Sequence, residues 1–212
     1  MDRTRLVLVV PASGPESVDA VRLDAALAGG DVAAVIIDAG DADAGDTVQA
    51  AVSALVDSAQ KAGAAALIRG DTRLVGRTHA DGVHVDESFE EIEAALERFH
   101  PNSIVGTGGA DTRHDAMLIA ETGPDYILFG DIDAPDAAET DPRYFEFGTW
   151  WAEVFEIPVV VLVGVDLADV PDLAAAGVEF VAVRGAVWKH PDGPAAAVAK
   201  ANALIDEGMA VT

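Results

Sequence analysis

One phrase recurs along the whole chain and limits what it can fold into. A helical stretch ends, a small or glycine residue turns the chain, an acidic residue often follows, and a short apolar run leads into a glycine or a carboxylate. His79-Ala-Asp-Gly-Val-His-Val-Asp86 is the fullest instance, and the stretches opening at Gly30, Gly63, Gly123 and Gly177 repeat it. The runs are continuous in Val, Ile, Leu and Ala rather than alternating with polar residues, which suits strands covered on both faces. Strands of that kind pair in parallel and need a crossover between neighbours, usually a helix. The recurring unit is therefore a helix-to-strand junction.

In order, the runs are Leu6 to Val10, Val32 to Ile37, Ala64 to Ile68, Gly82 to Val85, Ser103 to Gly106, Asp125 to Phe129, Pro158 to Val163 and Glu179 to Val183. Helices are predicted between them, over Glu16–Ala28, Thr47–Ala62, a short piece of Asp71–Arg77, Glu87–Phe99, Thr112–Thr122, Arg143–Phe155 and Leu167–Ala176, with a last one over Pro194–Glu207. The boundaries rest on apolar spacing, as in Phe89, Ile92, Leu96 and Phe99, and on end signals such as Asp46 as an N-cap and Gly63 as the residue after a helix. Between Asp38 and Asp46 a loop of small and acidic residues is expected. Eight strands alternating with helices read as an α/β fold, a (β/α)8 TIM barrel. An open doubly wound sheet shares the local pattern, but the count of eight favours the barrel. No linker rich in Pro, Gly or Ser interrupts the chain, so one domain is expected over residues 1–212.

Charge narrows the partners. With 37 Asp and Glu against 13 Lys and Arg, the formal charge is −24, which argues against a nucleic-acid backbone and an anionic membrane surface. Such an excess otherwise serves solubility. The absence of Cys rules out disulfides and thiolate metal sites. No apolar run approaches the ~20 residues of a membrane helix, and the N-terminus is too short for a signal peptide. A cytoplasmic protein is expected. In the aromatic stretch Arg143–Phe155, the adjacent Trp150 and Trp151 cannot both face one core, which leaves a subunit contact and a homo-oligomer open.

In a barrel the ligand site lies at the C-terminal strand ends. The residues there include Pro11, Asp38, Arg69, Asp71, Asp86, Glu87, Thr107, Gly108, Gly109, Asp131, Asp133, Gly164, Asp166, Arg184 and Gly185. Carboxylates outnumber cations, so Asp86, Glu87 and Asp133 are candidates for oxygen ligation of a divalent metal, against a plain reading as solvated loops. The stretch Gly106-Thr107-Gly108-Gly109, together with Gly164 and the Arg184-Gly185-Ala186 turn, offers backbone N–H groups and a cation to an anion such as phosphate. His84 lies between Val83 and Val85 and points to the face opposite theirs. It reads first as a packed, hydrogen-bonded histidine and second as an acid/base group, with Asp131 the other candidate for chemistry.

Four stretches, His79 to Val85, Gly123 to Ile132, Pro158 to Val165 and Gly177 to Val187, resemble in order and spacing the thiamine phosphate synthase and TenI family. The resemblance runs from about Gly63 to the C-terminus and implies a (β/α)8 barrel. It also implies a small phosphorylated heterocycle, of thiazole phosphate or thiamine phosphate type, as ligand, with Gly130 and Gly164 near it. The synthase joins a pyrimidine pyrophosphate to a thiazole phosphate with Mg²⁺, whereas TenI relatives isomerise the thiazole. The chain departs from the synthase pattern where that chemistry sits. The second strand, Val32 to Asp38, carries no cation, Arg69-Gly70 stands where the family has Asn-Asp, Phe89 falls near a metal-binding Asp, and Asp133-Ala134-Pro135-Asp136 replaces a Thr- and Lys-containing phosphate loop. What the resemblance implies is thus a family scaffold with a rebuilt site, either an enzyme, a non-catalytic binding relative, or a metal-dependent enzyme of another reaction.

Overall fold

The eight apolar runs form eight parallel strands that close in chain order. A computed structural model of the chain describes residues 3–40 and 45–211. The strands are β1 (Arg5–Pro11), β2 (Val32–Asp38), β3 (Ala65–Arg69), β4 (Gly82–Val85), β5 (Ile104–Thr107), β6 (Tyr126–Phe129), β7 (Val159–Leu162) and β8 (Phe180–Val183). Between and after them run α1 (Ala20–Leu27), α2 (Gly45–Lys61), α3 (Leu74–Thr78), α4 (Phe89–Phe99), α5 (Arg113–Glu121), α6 (Pro142–Val154), α7 (Val170–Ala175), α8 (Gly185–Trp188) and α9 (Pro194–Met209). Pairing of β1 with β8, Leu6 opposite Val181, closes the sheet and disposes of the open doubly wound alternative.

The ends of the helices show where local chemistry overrode apolar spacing. Helix α1 starts at Ala20 rather than Glu16, because the Asp19 carboxylate accepts from the Arg22 N–H at 2.8 Å and sets the cap there. Val18, counted as helical from its spacing, is instead buried in the segment before it, its N–H bonded to the Pro11 carbonyl. Asp46 lies inside the first turn of α2, not at its cap, where a carboxylate still complements the helix dipole. Part of the loop expected before it, residues 41–44, lies outside the described residues. Ser88 caps α4, and Thr112 with Asp115 forms a capping box on α5. Helix α7 begins at Val170, three residues later than predicted, and α8 is an extra turn where a loop was expected.

Alternation along the strands divides the apolar side chains into two sets. Val7, Val9, Ile36, Leu67, Leu128, Val160 and Ala182 fill the barrel interior, while the opposite face of each strand packs under the helices. Val83 and Val85 belong to the outer set, so His84 points inward, as its position predicts. One register row starts at the C-terminal ends of β1, β2 and β3 and descends with the barrel's shear to the first residue of β6: Pro11, Asp38, Arg69, His84, Gly106 and Tyr126 are successive partners. Where lower rows are aliphatic, this row carries a carboxylate, a guanidinium, an imidazole and a phenol. Helix α6 covers the far side: Trp151 is fully buried, stacked on Phe155 with ring centroids 4.0 Å apart, and Trp150 lies half-buried under the Arg113 guanidinium.

Candidate ligand site at the barrel mouth

Arg69, the last residue of β3, organises one side of the mouth. Its Nε donates to both oxygens of Asp86 at 3.0 and 2.9 Å, and its two Nη groups hold Asp133 end-on at 2.9 and 2.6 Å. Asp38, at the end of β2, lies 3.5 Å from Nη1. The Arg69 and Asp86 side chains are each 11% exposed. Burial alone would lower the Arg69 pKa, but its hydrogen bond to Asp133 and the field of Asp86 outweigh it and raise the pKa above its ordinary value. For Asp86 burial works against the charged form, yet the His84 imidazole and the Arg69 guanidinium bring its pKa down to about 2. Glu87 shifts the other way, upward, through burial and its neighbours Glu91 and Asp86.

Beneath this cluster His84 is buried and stacked against Tyr126, with ring centroids 5.7 Å apart. The Tyr126 hydroxyl lies 2.9 Å from His84 Nδ1. Nδ1 and the hydroxyl share one buried hydrogen bond in which the phenol is the donor. Burial raises the Tyr126 pKa, so the phenol keeps its proton and remains the donor. Nε2 turns toward Asp86 at 3.7 Å, too far for a hydrogen bond, and has no other hydrogen-bond partner. The Tyr126 ring fills the space where a side chain at Gly106 would lie, so the glycine at this row position is required by packing. Gly108 and Gly109 pass close over Asp86, and Gly109 has φ +77°, a conformation L side chains rarely adopt.

The opposite side of the mouth is built by the long connection between β6 and α6. Arg184, just after β8, donates through Nε to Asp136 at 2.8 Å and through its Nη groups to the carbonyls of Ile132 and Ala134. Lys189 reaches the other Asp136 oxygen at 2.9 Å. Burial disfavours the charged form of Asp136, but the hydrogen bonds from Lys189 and Arg184 prevail and lower its pKa. A Cβ at Gly185 would overlap this carboxylate, and one at Gly164 would overlap the backbone of Ala138 and Glu139. Backbone N–H groups of Val165 and Asp166 bond to the Ala137 and Ala138 carbonyls, so the connection is fastened over the ends of β7 and β8.

The residues singled out from the sequence thus divide. Arg69, Asp86, Asp133 and His84 come together, with Glu87 on the rim; Arg184, Gly185 and Gly164 come together under the β6–α6 connection. Asp131 stays apart, exposed, with one oxygen accepting from the N–H groups of Asp133 and Ala134. Thr107 is buried, its hydroxyl donating to the Tyr126 carbonyl at 3.3 Å, and Ala186 is buried inside α8. Gly130 packs against Leu162. Among the described residues no group of three or more His, Asp or Glu side chains is placed to hold a metal ion. Tyr126, Asp136 and Lys189 were not singled out by sequence reasoning. Lys189 sits five residues past Arg184, a spacing that becomes informative only once Gly185–Trp188 is known to be helical. Two cavities, of about 660 and 620 Å³, open on the mouth and share Asp38 and Asp133 in their walls.

Fold and site together define a (β/α)8 barrel with a polar mouth at the strand C-termini. Residues 6–187 match the family model described as thiamine monophosphate synthase, and the chain belongs to that family. It is 36% identical over 209 residues to a protein of Rhodospirillum centenum named thiamine-phosphate synthase, covering 97% of this chain and 99% of that one. A thiamine-phosphate synthase of Hyphomonas neptunium is 35% identical over 212 residues, covering 96% and 95%. A thiamine phosphate pyrophosphorylase from Pyrococcus furiosus superposes with a TM-score of 0.79 at 22% identity over 97% of this chain and 96% of that one, a likeness of fold. No helix among the described residues is long and apolar enough to cross a membrane.

Proposed function

We propose that the chain binds a small phosphorylated molecule at the barrel mouth, of the thiazole phosphate or thiamine phosphate type, with the phosphate taken by Arg184 and Lys189. The observation that carries this reading is the Asp136 carboxylate. Two cations hold an anion there already, beside a cavity of about 620 Å³, in an arrangement that would serve a phosphate oxygen equally well. Lys189 also pairs with Glu16 at 3.0 Å and Arg184 also holds the Ile132 and Ala134 carbonyls, and a ligand phosphate would replace the Asp136 carboxylate on the donors that the two cations turn toward it.

The donor set fits Mg²⁺ poorly. Asp86 and Asp133 would be the oxygen ligands, but each is bound by the Arg69 guanidinium, and Glu87 does not converge with them. No step of the proposed function runs through a metal. A pyrophosphate arriving on this side would meet Asp38, Asp86 and Asp133 with one guanidinium to offset them, which disfavours the transfer of a pyrimidine from its pyrophosphate. The names of the 36% and 35% identical relatives favour a second reading, thiamine-phosphate synthase activity itself.

Calorimetry with thiamine monophosphate and thiazole phosphate tests the first reading. Saturable binding is expected, weakened about tenfold or more in Arg184→Met, the usual scale for a lost charge-assisted contact. Absence of binding for both ligands would sink it. Turnover of pyrimidine pyrophosphate and thiazole phosphate in the presence of Mg²⁺ would establish the second.

A further inference from the structure

We propose that Arg69 is a built-in cation. Its guanidinium lies between Asp38, Asp86 and Asp133, which border it on different edges, and neutralises them in place of a divalent metal, so that this side of the mouth functions without one. The inference does not depend on which ligand the mouth binds.

The placement follows from the register. Asp38 and Arg69 are direct partners across β2 and β3, and Arg69 and His84 across β3 and β4, so the guanidinium starts at the level of the carboxylates it must reach. Asp133 comes in from the connection after β6 and closes the ring from above. The contacts, 3.5 Å to Asp38, 2.9 Å to Asp86 and 2.6 Å to Asp133, use a planar fork that can serve several carboxylates at once. Asp38 and Asp86, at 26% and 11% exposed, would repel each other without a cation between them, and the more exposed Asp133 adds to the negative field. A metal ion would satisfy the same need with a charge of +2, but it would have to displace a guanidinium that is covalently part of the chain and already hydrogen-bonded on two sides.

His84 adds an independent observation. Its side chain is fully buried, and Nε2 faces the Asp86 carboxylate at 3.7 Å with no hydrogen-bond partner. Removing the guanidinium would leave the Asp38, Asp86 and Asp133 carboxylates without their cation, and a divalent ion such as Mn²⁺ would then be drawn to them.

The experiment is a Mn²⁺ titration followed by electron paramagnetic resonance, with thermal melts in Mg²⁺ alongside, on the full chain and on Arg69→Gln, Arg69→Ala and Asp133→Asn. The unaltered chain should show only the weak, unsaturable uptake expected of an acidic protein, unchanged by Asp133→Asn. The Arg69 variants should acquire one Mn²⁺ per chain, at least about tenfold tighter than that background, with Mg²⁺ raising their melting temperature. Stoichiometric Mn²⁺ on the unaltered chain that Asp133→Asn abolishes would overturn the proposal. So would folded Arg69→Gln and Arg69→Ala proteins that take up none. If both Arg69 variants fail to fold, the comparison of the unaltered chain with Asp133→Asn, which replaces a side chain 73% exposed, decides alone: uptake unchanged between them supports the proposal.

Discussion

Replacing Asp136 by alanine separates the two things its carboxylate does. In the folded chain it pairs with Arg184 at 2.8 Å, and the two side chains are 15% and 19% exposed. Charges about 4 Å apart in such a half-buried setting attract by about 4 kcal/mol. Desolvation of both ions offsets part of that, leaving roughly 2 kcal/mol. Arg184 keeps the Ile132 and Ala134 carbonyls as partners in the variant, so no naked buried cation adds to the loss. Asp136→Ala should therefore unfold in urea with a stability lower by about 2 kcal/mol. If a ligand phosphate must displace the carboxylate, the variant no longer pays that cost, and its affinity for thiamine monophosphate should rise by up to about thirtyfold, the same energy read as binding. Asp136→Asn, which keeps the shape and loses the charge, should show a smaller gain. Calorimetry on the three proteins at one ionic strength makes the comparison. A variant that loses the expected stability while its phosphate affinity stays the same or falls would refute the idea that the Arg184 and Lys189 pair is a ligand seat, and would leave Asp136 as a fastener of the β6–α6 connection.

Other outcomes follow from the same geometry. The Asp86 pKa of about 2 lies below the ordinary carboxylate value, so the stabilisation it brings is complete above about pH 4 and is lost as the pH falls through about 2. The loss should be roughly 2 to 3 kcal/mol, and Asp86→Asn should flatten that part of a stability-versus-pH curve measured by urea melts. Trp151→Ala removes a fully buried ring stacked on Phe155 and an N–H bonded to the Ile157 carbonyl at 2.8 Å, and should cost about 3 to 5 kcal/mol by denaturant melts. Gly106→Ala places a methyl group in the Tyr126 ring and should lower stability by about 1 to 3 kcal/mol. Long-range nitrogen NMR should also show the His84 tautomer altered, because the phenol that fixes it is displaced; an unshifted imidazole would contradict the assigned hydrogen bond.

The barrel was legible because its signal is repeated. Each apolar run is short and continuous, each is followed by a helix, and an error of a few residues at one end leaves the count of eight intact. The helix ends were less legible: α1 starts at Ala20 because one carboxylate, Asp19, captures the Arg22 N–H, and such a contact outweighs apolar spacing without leaving a period in the sequence. The site was legible as a set of positions and not as an arrangement. Strand-end reasoning found Arg69, Asp86, Asp133, Arg184 and Gly185, and placed His84 on the inward face. It did not pair Arg69 with Asp133, 64 residues away, or Arg184 with Asp136, 48 residues away. It also passed over Tyr126, which looks like any aromatic residue opening a strand until its hydroxyl is seen against His84.

What the sequence by itself determined is the alternation of buried strand and covering helix, and with it a barrel that presents the ends of its strands as a mouth. Periodicity and continuous apolar runs act over a few residues, so they can be read locally. Which charges at the mouth neutralise one another was decided only in three dimensions, because the pairing depends on register between strands and on where the β6–α6 connection folds back. A carboxylate beside a guanidinium is a different chemical object from a carboxylate facing water. That difference turned two of the apparent metal ligands, Asp86 and Asp133, into partners of Arg69, and an apparent phosphate turn into a seat held by Asp136.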